Sequence, residues 1–181
     1  MPKQNKLQLI KKLIDSAIDS INQAKSLLAE LTGQAVSSEA EEKAREVGSV
    51  DLSADNTKII EGVFDGQNMI GPDGKQYSIP ANYASKSKLV EGDILKLTIM
   101  PDGSFVYKQI GPVERKRLVG TLIKDENTED FKVLAENKSY GLLLASVTYF
   151  KGDVGDEVVI LVPEKSESSW AAVENIIKKS L

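Results

Sequence analysis

The chain has 181 residues, 41% hydrophobic and 28% charged, the balance of a folded globular protein and not of a disordered one. It holds neither cysteine nor histidine, which excludes disulfides, thiol nucleophiles, Ser-His-Asp and Cys-His catalysis, and the usual zinc, haem and iron–sulfur ligand sets. A net charge of −4 and a pI near 5.1 argue against a dedicated duplex-DNA binder. Carboxylate-only Mg²⁺ or Ca²⁺ sites and Lys or Tyr chemistry stay open.

Charge is uneven along the chain: residues 1–58 carry −1, 59–117 carry +1 and 118–181 carry −4. Only the middle third offers a mildly basic face. The start, Met1 to Lys6, is not followed by an apolar core of signal-peptide type. Lys11, Lys12, Asp15, Asp19 and Lys25 interrupt residues 7–31, so this stretch cannot span a bilayer. The expectation is a cytoplasmic protein with no membrane partner.

Leu7, Ile10, Ile14, Ala17, Ile21, Ala24, Leu28 and Leu31 alternate at spacings of three and four, the a/d seam of a coiled coil. Leu13, Ile18 and Leu27 widen the stripe, and Gly33 suits a helix stop. A helix over 4–32 would be roughly 43 Å long. Self-association through the stripe is expected; an amphipathic helix folded back on its own domain is the alternative. Residues 33–58 are polar and read as a linker, with one helical turn or two over 39–46 capped by Ser38 and Glu41 and ended by Gly48. The charges from Glu39 to Glu46 read as a solvated face.

From Ile59 the pattern turns to strands. Segments Ile60–Phe64, Tyr77–Ile79, Ile94–Ile99 and Phe105–Tyr107 are followed by Leu118–Lys124, Phe131–Ala135, Tyr140–Ala145, Glu157–Val162 and Trp170–Ile176. The halves read as repeats. Gly74-Lys75-Gln76-Tyr77 is answered by Asn137-Lys138-Ser139-Tyr140, and Gly92-Asp93 by Gly155-Asp156, both 63 positions later. Tyr107–Ile110 is matched to Val173–Ile176. The helical spacing of Trp170, Val173, Ile176 and Ile177 is overruled by the repeat, which makes 170–176 a last strand. The predicted class is mainly β with an N-terminal α-helix: a coiled-coil helix (1–32), a polar linker (33–58), and two tandem small OB-like β-barrels at 59–117 and 118–181. SH3-like and cradle-loop barrels would give nearly the same string.

This order of parts resembles the N-terminal region of the proteasome-associated AAA ATPases, in the Gly62-Val63 strand opening, the Gly74-Lys75 strand start and Leu89-Val90-Glu91-Gly92-Asp93 before a long strand. The resemblance covers most of residues 4–176 and implies a ring- or bundle-forming module whose coil docks a partner. No G-x-x-x-x-G-K-[ST] loop occurs, so no nucleotide hydrolysis is carried over.

Asp65, Asp73, Asp93, Asp102 and Asp156 stand at turns, where carboxylates bond their own backbone. Asp125 to Asp130 resembles a metal loop in composition only, and Asn137-Lys138-Ser139 is a sequon by pattern alone. The basic set Tyr83, Lys86, Lys88, Arg115, Lys116 and Arg117, with Lys96 and Lys108, is the candidate surface for a partner or for nucleic acid. Phe64, Tyr77, Phe105 and Tyr107 are the other aromatics a stacking platform could use. The expected function is a non-enzymatic, cofactor-free homo-oligomeric scaffold or adaptor that docks an unidentified protein partner. A single-stranded nucleic-acid-binding protein of translation or transcription is the alternative.

Overall fold

The computed structural model describes residues 38–52 and 57–179, together with Lys6, Ile10, Leu13, Ala17, Ser20 and Ala24. The chain divides into two compact units, Met1–Val36 and Ser37–Leu181. In the first, those six positions are helical and exposed, three or four residues apart. Ile10, Ala17 and Ala24 of the predicted stripe are among them; Leu7, Ile14, Ile21, Leu28 and Leu31 lie outside the described residues.

The second unit is mainly β. A six-stranded sheet comes first. Strands β2 (Lys58–Phe64), β3 (Asn68–Ile70), β4 (Gln76–Ser78), β5 (Ile94–Ile99) and β6 (Phe105–Gly111) run in the order β4-β3-β2-β5-β6, and β1 (Val50–Leu52) also pairs with β2. Ile60, Phe64, Met69, Leu95 and Leu97 fill its core. Helix α1 (Ser38–Val47) lays Ala40 and Ala44 on Val63 and Ile70. Two alanines let the helix backbone approach the sheet closely, while Glu42, Arg45 and Glu46 stay exposed. The Gly48 N–H returns to the Ala44 carbonyl at 2.9 Å and ends the helix. Residues 38–52, read from sequence as linker, are therefore packed or paired parts of this unit.

A closed barrel follows, built from β7 (Arg115–Lys124), β8 (Phe131–Ala135), β9 (Lys138–Leu142), β10 (Glu157–Pro163) and β11 (Trp170–Ile177) in the order β10-β11-β9-β8-β7, with β10 pairing β7. Parallel pairing of Trp170 with Gly141 and of Ala171 with Leu142 joins β11 to β9. Leu122, Val133, Val147, Val158 and Ile160 are among its fully buried side chains.

Both halves run strand, strand, strand, short helix, strand, strand, with α2 (Ala81–Lys86) and α3 (Leu144–Tyr149) as the helices. They differ at one seam. The first half has no ladder between β4 and β6; instead the Tyr107 hydroxyl donates to the Ser78 carbonyl at 2.8 Å. Burial pushes that phenol up to about 12, and nearby Tyr77 adds to the effect.

Several boundaries differ from the sequence reading. The strand expected over Tyr140–Ala145 stops at Leu142, because Leu143 leaves the sheet to pack on the first half's core and α3 starts behind it. Arg115, Lys116 and Arg117 are no connection: they open β7 and pair with Pro163, Val162 and Leu161. Strand β3 is only three residues long and gave no sequence signal. The last-strand match also shifts. The register breaks between Ile94 and Leu95 in one half and between Val159 and Ile160 in the other, so Lys108 falls opposite Lys96 as Asn175 falls opposite Val159, and Glu174 has no counterpart. The C-terminal stretch is a strand, as the repeat required.

Gly62 and Gly120 occupy the same ladder position in the two halves, opposite Leu95 and Val158. A Cβ on Gly62 would strike the Ile70 carbonyl, and one on Gly120 the Leu134 carbonyl. Backbone cannot move aside cheaply there. Gly62→Ala and Gly120→Ala should each cost roughly 1–3 kcal/mol in urea unfolding; a loss below about 0.5 kcal/mol would show that the sheets absorb the methyl by bending.

Candidate functional site

The two halves meet in a junction with four components. Val90, Leu161 and Ala172 bury one another, with Val113 packed alongside. Leu143 of the second half joins the first half's core. The Ser146 hydroxyl meets that of Ser85 at 2.8 Å between α3 and α2. Polar groups complete the seam, and two carboxylates dominate it.

Asp93 is fully buried. Its Oδ2 accepts the Val90 N–H at 2.9 Å, Gln109 Nε2 at 2.8 Å and Arg115 Nη2 at 2.7 Å; its Oδ1 accepts the Val113 N–H at 2.9 Å. Four donors around one carboxylate meet the cost of burying its charge. They also tie the turn before β5, the end of β6 and the start of β7 to a single point. Asp156 repeats the backbone part of this pattern, accepting the Asp153 N–H at 2.8 Å and the Lys179 N–H at 3.2 Å. The Asp153 N–H and the Lys178 ammonium hold its carboxyl below the usual range.

Glu91, two residues before Asp93, reaches the other half. Its Oε1 accepts the Ser169 N–H at 3.0 Å and the Trp170 N–H at 2.9 Å. Burial pushes this carboxyl up to about 7, against the two N–H groups and Lys138, which favour its charged form; Asp65 adds to the rise. The Trp170 ring lies against Gly66 and Gly141, where a Cβ would strike it at 2.5 and 2.9 Å. Sequence reasoning missed both residues. For Glu91 the repeat held the signal: at the 63-residue offset, Val90 and Glu91 face Asp153 and Val154, a change of character immediately before otherwise matching Gly-Asp pairs.

The six predicted contact residues do not form one free patch. Arg115 is held by Asp93. Arg117 grips Glu174 with two bonds, Nε at 2.5 Å and Nη2 at 2.9 Å, and Lys88 lies close enough to Glu174 to help depress its carboxyl, after Arg117 itself. Tyr83 packs on the first core with its ring 6.2 Å from that of Tyr107. Lys86 and Lys116 are exposed. Of the candidate stacking aromatics, Phe64 is core, Tyr77 and Tyr107 pack against the core, and Phe105 is 51% exposed. Tyr149, which the sequence reading did not single out, is more exposed still, at 71%.

The turn carboxylates bond their own backbone. Asp65 accepts the Gln67 and Asn68 N–H groups, Asp73 that of Lys75, and Asp102 that of Ser104. In the acidic hairpin, the Lys132 ammonium and the Asn127 and Thr128 N–H groups hold Asp125 down at about 2. A cavity of about 220 Å³ is lined by Thr121, Gly155, Glu157, Ile177, Lys178 and Lys179. One of its two lysines, Lys178, already pairs with Asp153 and Asp156.

The twin aspartates should part company on substitution. Asp93→Ala strands the Arg115 guanidinium in the junction and should cost about 3–5 kcal/mol in urea unfolding. Asp156→Ala, whose ammonium partner is exposed, should cost clearly less. Equal losses would mean that the Arg115 bond adds nothing to the turn geometry.

No family model, no curated protein and no solved structure matches the chain.

Proposed function

We propose that the protein is a non-enzymatic oligomeric scaffold, in which an N-terminal coiled coil joins copies and docks a protein partner and two OB-type barrels follow it in the chain. The observation that carries this reading is apolar exposure on a helix: Ile10 is 53% and Leu13 62% exposed, both at helical positions. Large aliphatic side chains on one side of a helix gain about 1.5–3 kcal/mol each when fully covered; the strict heptad spacing is the pattern by which a second helix covers Ile10, and Leu13 beside the seam favours a trimer, a bundle or a docked partner.

The OB assignment draws support from pairing order. In the closed barrel the first strand pairs with the second and fourth, the third pairs in parallel with the fifth, and the helix falls between third and fourth. A Greek-key barrel of the OB type uses a route of this kind, and a simple meander does not, which supports the assignment. The resemblance to the region preceding the ATPase module of proteasome-associated ATPases rests on the same order of parts. The nucleic-acid alternative loses support, since Arg115 and Arg117 are bound within the chain and most of the candidate stacking aromatics serve the first core.

The test is the absolute mass of the full chain beside a chain of residues 38–181, by light scattering on a sizing column. The cut belongs before Ser38, because α1 packs on the first sheet and β1 pairs within it. The full chain should be a multimer, and the shortened one a monomer with unchanged β-sheet circular dichroism. Monomeric mass for both would overturn the proposal.

A further inference from the structure

The junction places a carboxyl group where a proton can report on it. Glu91 Oε1 receives both the Ser169 and Trp170 amides from across the seam, leaving Oε2 as the oxygen on which a proton would sit. With that proton present, Oε1 still accepts both amides and no charge is buried. Without it, a full negative charge sits at the seam. It faces Asp65, which repels it, from the β2–β3 turn and Lys138, which attracts it, from β9; Lys138 is already shared with Glu167 at 3.2 Å. On the neighbouring residue, Lys43 is engaged by the Gly92 carbonyl at 2.7 Å.

We propose that Glu91 is a proton-operated latch between the two halves, closed tightly when its carboxyl is protonated and loosened when it ionises. The group lies at an interface, bonds only to the opposite half in the contacts above, and is followed by the Asp93 turn that fixes the path into β7. The composition of the chain isolates it further. With no histidine and no cysteine, the protein lacks the side chains that ordinarily titrate near neutrality. Apart from the terminal amine, Glu91 is therefore the natural origin of any transition there.

The direction follows from linkage. A carboxyl that takes its proton more readily in the docked junction than in the opened one favours docking at low pH, and that advantage disappears as pH rises through the docked value. With a docked value of about 7 against an ordinary 4.5, docking weakens across that interval and is weakest above neutrality. Water entering to solvate the ionised group would release the Ser169 and Trp170 amides.

Trp170 is the only tryptophan, so the full chain carries its own reporter at the latch. Its emission should shift to the red with a midpoint near pH 7 as pH is raised from about 5.5 to 8.5. The Ser169 and Trp170 amides should exchange at least about tenfold faster at the upper end, after correction for the intrinsic pH dependence. Glu91→Gln, an uncharged isostere whose Oε1 can accept the same amides, should keep the low-pH emission throughout. A flat wild-type profile, or an unchanged midpoint in Glu91→Gln, would overturn the proposal. Should that variant fold poorly, carboxyl-detected NMR of wild-type protein decides directly: a Glu91 midpoint near 7 supports the latch, and one at the ordinary carboxylate value removes it.

Discussion

The fold of the second unit depends on a charge that has no access to water. Asp93 gathers a turn amide, a post-strand amide, a glutamine amide and a guanidinium from four different positions in the chain. Ionised carboxylates are buried only where donors surround them, so the group acts as a geometric constraint: the path from β6 into β7 is acceptable only if it delivers Val113 and Arg115 to the same two oxygens. Arg115 fills the role incompletely, its Nε being buried with no partner among the described residues. That shortfall is tolerated because the Nη2 bond places a cation directly against the anion.

From that point the open sheet of the first half and the closed barrel of the second stop behaving as separate small units. Units of this size bury little surface alone, and here each lends the other apolar cover: Leu143 enters the first core, while Val90 and Val113 meet Leu161 and Ala172. The backbone hydrogen bonds to Glu91 and the packing of Trp170 on Gly66 add directional contacts that a purely apolar seam lacks. The open β4–β6 seam of the first half is compatible with this arrangement, since Tyr107 spans it and α1 closes the opposite flank of β2 over Val63 and Ile70.

Legibility in the sequence followed the reach of each signal. Long strands such as Glu157–Pro163 and the Gly-Asp turns could be read because alternation and turn chemistry are local. The strand character of 170–177 could be read only through the repeat, against its own helical spacing. Strand β3 was invisible because three residues carry no period. Leucine-rich 142–145 misled because its composition suits a strand while Leu143 answers to a contact on the other half. The same reason defeated the basic set: nothing near Arg115 or Arg117 in the sequence announces Asp93 or Glu174. Glu91 was legible only as a place where two aligned copies disagree, and Trp170 only as a member of the last strand.

That disagreement bears on growth. The end of the first half that docks is apolar at Val90 and Val113, whose amides bond Asp93; the amides of Asp153 and Lys179 bond Asp156 in the same way at the far end of the second half. There the side chains are charged and exposed. Another barrel stacked by the same contact would have to strip water from an acid and an amine against an aliphatic face like that of Leu161 and Ala172. The end of the second half that carries Asp156 thus differs in character from the docking end of the first, and the contact that unites the halves finds no aliphatic counterpart at Asp153 or Lys179.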